Sequence, residues 1–461
     1  MKTLSVPWWM AVGLALLLSL GSLVLGILEN RMIDFEVNDR AARRILLGET
    51  LYRGEDGHFQ FKYPPAAAFL YLPLTLIPPV KAKAVWLFLS LLAIGFSVHI
   101  ALRLVIGEDD ATWALRILPV VIMGKYLLRE LELGQINVFI LLFMLVSARL
   151  LDRADSSGRP RLETVAGCFW GLATALKPYT LIFLPYLVLR GKFRALAAGT
   201  ACLAASLLLP GLYYGFSGNL SVIREWIRSL TVSTPHLLTS QDNISVFACA
   251  AKHIGNPGSA FALGLGVAGG LALGFLLLVL SGRRLVNPFA DATPPERRGL
   301  KSEPRLSRRG REATLLYSAP LEGKGLTGLR VNPEQAPPCS TQGAETTAPW
   351  VPAFMPGSRR VKSLVLEVFL LLLLTPLVSP LGWDYTLLAG LPAVILLFRN
   401  FNRFPKAGRI ALAVGLALMP LFLFDLFGRE LYGALMRLGL PTANALALAG
   451  CLAYLRRHKA C

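Results

Sequence analysis

The chain has 461 residues, of which 54% are hydrophobic and only 16% are charged, and its formal net charge is +19. Its mean hydropathy is +0.55. A soluble domain of ordinary composition carries about 25% charged residues, and helices that are apolar on every side leave no face for water. The composition therefore excludes an ordinary soluble enzyme and predicts an all-α integral membrane protein.

Apolar runs long enough to cross a bilayer recur along the chain, and short charged stretches separate them. A helix needs about 20 apolar residues to cross the hydrocarbon core. The first run is too long for the apolar part of an ordinary signal peptide, so we interpret it as a retained span. We predict about twelve transmembrane helices, at 7–28, 83–106, 113–128, 135–151, 162–177, 178–190, 194–214, 258–281, 362–378, 384–399, 408–427 and 442–455.

Basic residues set the predicted orientation. Lys and Arg concentrate in the segments 149–161, 190–194 and 399–409 and in the C-terminal tail. Because cytoplasmic loops carry such an excess, we predict a multi-pass protein of the plasma membrane with both termini in the cytoplasm. The positive charge thus follows the topology, and we predict no nucleic-acid partner.

The chain divides into three predicted regions. An N-terminal transmembrane region covers 1–281, a basic cytoplasmic insert covers 282–361, and a C-terminal transmembrane region covers 362–461. The insert is rich in Pro, Gly, Arg and Ser and has no sustained periodicity, which is typical of disorder. Its paired arginines suit contact with anionic membrane lipids or simply flank the spans on the cytoplasmic side.

The two longest predicted outer loops cover 29–82 and 215–257. The first contains an amphipathic stretch from Val37 to Leu46, typical of a helix that lies in the membrane interface. Its prolines break the segment 64–80. Irregular backbone at membrane depth needs protein cover or a wet cavity. We therefore predict interfacial helices in the first outer loop and a cavity beside them.

Polar side chains recur at the predicted outer ends of the spans. Asp34 follows the first span, where a carboxylate is either a general base for a hydroxyl or an interfacial anchor. Lys177 suits an anionic ligand such as phosphate or extends to the interface, and the aromatic residues suit a sugar face or an interfacial belt. Asp34 is thus a candidate catalytic residue, and the candidate substrate-binding residues are the following: Arg40, Lys62, Tyr63, Gln135, Asn137, Lys177, Tyr179, Asn243, Trp383, Asp384 and Tyr385.

The sequence contains no motif typical of a metal or cofactor site. The six cysteines are scattered, and no group of His, Cys and carboxylate residues has the spacing of a metal site. We therefore predict neither a metal nor a cofactor.

The order of the polar motifs resembles that of the polyprenol-phosphate-sugar-dependent glycosyltransferases of family 87, which are C-type, multi-span enzymes that include mannosyltransferases. The resemblance runs from Asp34 to the region near residue 390, interrupted by the insert. The motifs in chain order are DFxV at 34–37, YPP at 63–65, Trp86, GQxN at 134–137, KP at 177–178, NxS at 243–245 and SPxxW at 379–383.

This resemblance implies a C-type fold and a function. The function would be inverting transfer of a hexose such as mannose from a polyprenyl-phosphate donor to a lipid or glycan acceptor on the outer face of the membrane. It implies that Asp34 is the general base and that Lys177 lies near the donor phosphate. The chain departs from the family pattern at Asn38-Asp39, where the family often has an aromatic pair, and at Asp384-Tyr385, where it often has histidines.

Two other classes of protein fit the same arrangement of spans. One is a flippase or transporter of lipid-linked sugars that performs no chemistry. The other is a ligase or polymerase of surface polysaccharide, which shares the large outer loops. The sequence has no internal repeat of the kind that many transporters show, and its polar groups gather toward one face rather than at mid-membrane.

Overall fold

A computed structural model of the protein describes residues 32–107, 111–284, 361–422 and 424–458. The secondary structure of these residues is helical, and one isolated β-bridge within them joins Asn243 to Trp383. The predicted all-α class is confirmed for this part of the chain. The predicted first span at 7–28 and nearly all of the insert at 282–361 lie outside the described residues.

Sixteen α-helices are present in the described ranges. Up to the insert they are α1 (Ile33–Leu46), α2 (Pro79–Ile106), α3 (Trp113–Ile122), α4 (Gly124–Leu133), α5 (Asn137–Ser157), α6 (Pro160–Leu176), α7 (Phe183–Leu189), α8 (Phe193–Leu208), α9 (Gly211–Leu238), α10 (Val246–His253) and α11 (Pro257–Arg284). After it come α12 (Ser363–Val378), α13 (Leu391–Arg399), α14 (Lys406–Leu421), α15 (Phe424–Arg437) and α16 (Leu440–Arg457). Short 3₁₀ helices cover Gly54–Phe59, Pro65–Leu76, Pro178–Ile182, Asp384–Gly390 and Phe401–Arg403.

Fewer single helices could span a membrane than the sequence predicts. Among the described residues, α2 and the Pro257–Ser281 part of α11 are long and apolar enough. Two bent pairs, α8 with α9 at 93° and Phe427–Arg437 with α16 at 58°, raise the number to four if each pair is one span. The full set of predicted spans is therefore not confirmed. Breaks such as Lys177-Pro178 divide the apolar runs into short helices, because proline lacks an N–H donor and restricts the residue before it.

The described part of the predicted first outer loop contains the helix that its amphipathic pattern predicts. In α1, Asp34 lies in the first turn, and Arg43 and Arg44 lie in the last turn. These charges match the positive N-terminal and negative C-terminal ends of the helix dipole. The buried face of α1 packs against the 3₁₀ helix Pro65–Leu76, which contains Pro73. The loop is thus a folded layer that fixes the position of Asp34.

Gly134 allows the turn between α4 and α5 to approach α1 closely. Its φ is +66°, and a Cβ at this position would lie 2.7 Å from the Cβ of Phe35. The Gly134 carbonyl accepts a hydrogen bond of 3.0 Å from Nε1 of Trp86, and the Trp86 ring stacks on Tyr71 at 4.4 Å. Only glycine combines this φ with so close a contact. The glycine of the GQxN motif therefore places Gln135 next to Asp34.

Helices α6 and α8 cross at three glycines. A Cβ at Gly167 would lie 2.1 Å from the carbonyl oxygen of Ala195, and a Cβ at Gly171 would lie 2.5 Å from that of Gly199. A Cβ at Gly199 would lie 2.2 Å from the Trp170 ring. Small residues four apart allow such close backbone packing between membrane helices. This crossing holds α6, whose C-terminal end leads directly into Lys177.

A buried carboxylate joins helices on both sides of the insert. Glu367 in α12 is fully buried. Its two oxygens accept hydrogen bonds from Arg190, with Nε at 2.8 Å, and from Nε of Arg456 at 2.9 Å. The carboxylate thus ties the end of α7 and the end of α16 to α12.

We expect Glu367→Gln to lower the free energy of unfolding by about 3–5 kcal/mol, since an amide leaves two partly buried guanidinium groups without their shared anion. Thermal unfolding of the detergent-solubilised protein measures this loss. The matched control is Asp155→Asn, which breaks the more exposed pair of Asp155 with Lys192 and should change stability by no more than about 1 kcal/mol. Equal shifts of the two midpoints would contradict the assignment of Glu367 as a structural tie.

Candidate active site

A cavity of about 840 Å³ opens where the predicted first outer loop meets several other parts of the chain. These parts include the turn between α4 and α5, the break between α6 and α7, the helix α9 and the segment 379–386. Asp34, Gln135, Pro178, Trp226 and Trp383 line it, one from each part. A volume in the range of about 300–1,000 Å³ suits a small organic ligand.

The Asp34 carboxylate is half-buried in the first turn of α1 and faces this cavity. Its Oδ2 accepts a hydrogen bond of 2.7 Å from Nε2 of Gln135. The positive end of the α1 dipole favours the ionised form of a carboxylate at this position. Asp34 therefore presents a charged proton acceptor in a fixed orientation.

Gln135 connects the acidic and basic sides of the cavity. Its side-chain oxygen accepts hydrogen bonds from the Tyr63 hydroxyl at 3.0 Å and from Nζ of Lys177 at 3.1 Å. Its Nε2 donates to Asp34 and, at 3.2 Å, to the Tyr385 hydroxyl. With its oxygen toward the cation and its nitrogen toward the anion, the amide has one orientation that satisfies every partner.

The Lys177 ammonium lines the cavity from the extended residue that ends α6. Nζ donates to Oδ1 of Asn137 at 2.7 Å as well as to Gln135, and it lies 4.9 Å from the centre of the Tyr63 ring. Both hydrogen-bond acceptors are neutral amide oxygens. An ammonium has three N–H donors, so one donor remains for a ligand in the cavity.

Lys62 supplies a second positive charge to the same cavity. Burial lowers the pKa of its ammonium group, and the nearby Asp34 carboxylate partly offsets that effect. The backbone carbonyl of Lys62 accepts a hydrogen bond of 3.2 Å from Nε1 of Trp226, which ties the first outer loop to α9.

Aromatic rings form much of the remaining wall. The rings of Trp383 and Tyr385 are nearly parallel, with 6.5 Å between their centres and 5° between their planes. Tyr179 donates from its hydroxyl to Oδ1 of Asn137 at 3.3 Å. Such rings offer apolar faces with a polar edge, which suits an amphipathic ligand.

The structure brings eight of the sequence-predicted residues to the cavity wall: Asp34, Lys62, Tyr63, Gln135, Lys177, Tyr179, Trp383 and Tyr385. Asn137 lies directly behind the wall, where it accepts the hydrogen bond from Lys177.

Three predicted residues lie away from the wall. Arg40 pairs with Asp56 at 3.6 Å, and it lines a smaller surface cavity. Asn243 donates to the carbonyl oxygen of Pro380 at 2.9 Å and so supports the segment that carries Trp383. Asp384 is buried and pairs with Lys125 at 2.9 Å. None of these three side chains lines the cavity.

The sequence-based prediction omitted several residues that the structure places at the site. Trp226, Arg129 and Asp242 line the cavity. Glu130 is buried beside Asn137, and its burial raises the pKa of its carboxyl group above the usual value. The only sequence signal for Glu130 was its place in the amphipathic segment just before the GQxN motif.

Comparison with known proteins gives a family. The sequence model of glycosyltransferase family 87 matches residues 61–293, which is about half of the chain and includes Tyr63, Gln135 and Lys177 but not Asp34. No curated protein matched significantly. No solved structure did so either. The chain belongs to glycosyltransferase family 87, and with its apolar helices it has the character of a membrane protein that uses a sugar donor and an acceptor.

Proposed function

We propose that the protein is a hexosyltransferase that moves a sugar such as mannose from a polyprenyl-phosphate donor to a lipid or glycan acceptor at the outer face of the plasma membrane. The observation that supports this most is the arrangement around Gln135. One amide group separates a half-buried carboxylate, Asp34, from a cavity-facing ammonium, Lys177. Transfer from a sugar phosphate needs both groups, a base for the acceptor and a cation for the leaving group.

The proposed reaction is a single displacement with inversion. Asp34 accepts the proton of an acceptor hydroxyl while the hydroxyl oxygen forms a bond to the anomeric carbon. On the opposite face, the bond between the anomeric carbon and the phosphate oxygen breaks, and its electron pair departs with the polyprenyl phosphate. Lys177 and Lys62 stabilise the negative charge that develops on that phosphate.

The aromatic walls support a sugar ligand. Trp383, Tyr385 and Tyr63 surround the cavity next to the two cations. Ring faces can contact the C–H groups of a sugar, while the hydroxyl of Tyr63 and the amide of Gln135 fix polar positions. The proposed outer location rests on the basic segments 149–161, 190–194 and 399–409, which the positive-inside rule assigns to the cytoplasmic side.

Incubation of the reconstituted protein with radiolabelled polyprenyl-phosphate mannose and a membrane lipid extract as the source of acceptor tests the proposal. We expect the label to appear in a new glycolipid or glycan. Movement of intact labelled lipid across the bilayer, with no new product, would instead indicate a flippase and would refute the proposed transfer.

A further inference from the structure

Glu130 lies outside the cavity wall, yet it is the charged end of a hydrogen-bond chain that reaches Lys177. Its carboxylate is 1% exposed. One oxygen accepts a hydrogen bond of 2.8 Å from Nδ2 of Asn137, and the other accepts one of 2.9 Å from the backbone N–H of Val138. On the far side of the Asn137 amide, Oδ1 accepts the hydrogen bond from Lys177 at 2.7 Å.

The hydrogen bonds from Lys177 through Asn137 to Glu130 all run in one direction, from donor to acceptor. An Asn side chain places its donor nitrogen and its acceptor oxygen on opposite sides of one planar group. Because Glu130 accepts from the nitrogen, the oxygen must face Lys177. Without an acceptor at position 130, Nδ2 of Asn137 keeps only its longer contact of 3.4 Å with the side-chain oxygen of Gln135. The orientation then depends mainly on Lys177 and Tyr179, and a reversed amide would direct N–H donors at an ammonium group.

We propose that Glu130 is a positioning residue for sugar transfer, which orients the Asn137 amide so that Lys177 is held at the place of the donor phosphate. The proposal rests on the proposed function and adds a residue to it. Glu130 is too deeply buried to touch the substrate, so its effect must pass through Asn137. Its negative charge also balances that of Lys177 across one neutral amide, which lowers the cost of keeping the ammonium half-buried.

Glu130 could instead have a purely structural role as a helix cap, and one substitution distinguishes this role from positioning. The Val138 N–H lies in the first turn of α5, so Glu130 also caps that helix. In Glu130→Gln the side-chain oxygen can still accept from Val138, and the cap is kept. The nitrogen of the new amide, however, would face Nδ2 of Asn137 as a second donor. The variant therefore keeps the capping contact and removes the hydrogen bond by which position 130 orients Asn137.

The test is a swap of the two side chains. Glu130→Gln alone should raise the KM for polyprenyl-phosphate mannose and lower kcat, for a combined loss of about 10–100-fold, the range in which outer hydrogen-bond partners act at metal sites. The apparent KM for the acceptor extract should stay the same. Asn137→Asp alone should also lose activity, because two carboxylates would then face each other.

The double variant Glu130→Gln with Asn137→Asp should recover most of the transfer rate. In it the amide nitrogen introduced at position 130 would donate to the carboxylate introduced at position 137. That carboxylate would accept from Lys177, so the direction and the net charge of the chain are both restored. Glu55→Gln is the matched control, since it removes one negative charge from a side chain that is 76% exposed. It should behave as wild type.

Several outcomes separate the two proposals. Wild-type protein that transfers no sugar refutes the proposed function. Wild-type transfer together with an unaffected Glu130→Gln variant refutes only the positioning role and leaves Glu130 as a helix cap. Loss of activity in both single variants without recovery in the double variant, at a normal thermal unfolding midpoint, also refutes it.

Discussion

Asp34→Asn is expected to reduce sugar transfer by about 10²–10⁴-fold, the contribution typical of general acid–base catalysis. Asparagine has nearly the same shape as aspartate, and its side-chain oxygen can still accept the hydrogen bond from Gln135. An amide oxygen, however, does not take the proton of an acceptor hydroxyl at neutral pH. The change therefore removes the base while it leaves the cavity wall in place, and initial rates with labelled polyprenyl-phosphate mannose measure the loss.

A second carboxylate on the same helix provides the control for this variant. Asp39 lies in α1 but pairs with Arg43 at 2.8 Å, and it lines the smaller surface cavity instead. Asp39→Asn should keep a rate near that of wild type. A fast Asp34→Asn variant with an inactive Asp39→Asn variant would move the catalytic base to Asp39.

Lys177→Met is expected to lower kcat/KM for the donor by about 10²–10³-fold, since one fixed group that stabilises transition-state charge contributes on that scale. Methionine fills much of the lysine volume without the charge. We expect a rise in donor KM together with a fall in kcat, because the ammonium contacts a phosphate that is charged in the ground state and gains charge on departure. Initial rates over a range of donor concentrations separate the two effects.

Lys81→Met controls for the loss of a positive charge on the same predicted side of the membrane. Lys81 is exposed at the start of α2 and does not line the cavity. Its replacement should leave donor KM and kcat near their wild-type values. An equal loss in both variants would mean that general attraction of the anionic donor, and not a placed ammonium, explains the role of Lys177.

The sequence predicted the helical class and eight of the residues that line the cavity, because these residues lie where helices break. Gly134-Gln135 and Lys177-Pro178 interrupt apolar runs, and polar groups at such breaks need partners. Polar residues that interrupt an apolar run can be recognised directly in the sequence. The same breaks explain why the predicted spans are not confirmed, since an apolar stretch of sequence does not show where a helix bends or ends.

Side-chain direction was the part that the sequence could not supply. Trp383, Asp384 and Tyr385 are adjacent and were assigned to the site together, but the backbone turns Asp384 away from the cavity to pair with Lys125. Glu130 is the opposite case, a residue that the sequence does not assign to the site but that contacts Asn137 beside it. It lies in a short charged amphipathic helix typical of a solvent-exposed surface, yet it is buried and accepts hydrogen bonds from Asn137 and Val138 at the start of α5. The sequence does not show which residue will contact Asp384 or Glu130, because that depends on how the helices pack in three dimensions.

The most direct measurement compares wild-type protein and Asp34→Asn, each reconstituted in liposomes at equal amount, for conversion of labelled polyprenyl-phosphate mannose into a glycosylated product. We expect wild type to form the labelled product and to release polyprenyl phosphate in equal amounts, and Asp34→Asn to do neither at a comparable rate. Formation of the product by Asp34→Asn at the wild-type rate would contradict it.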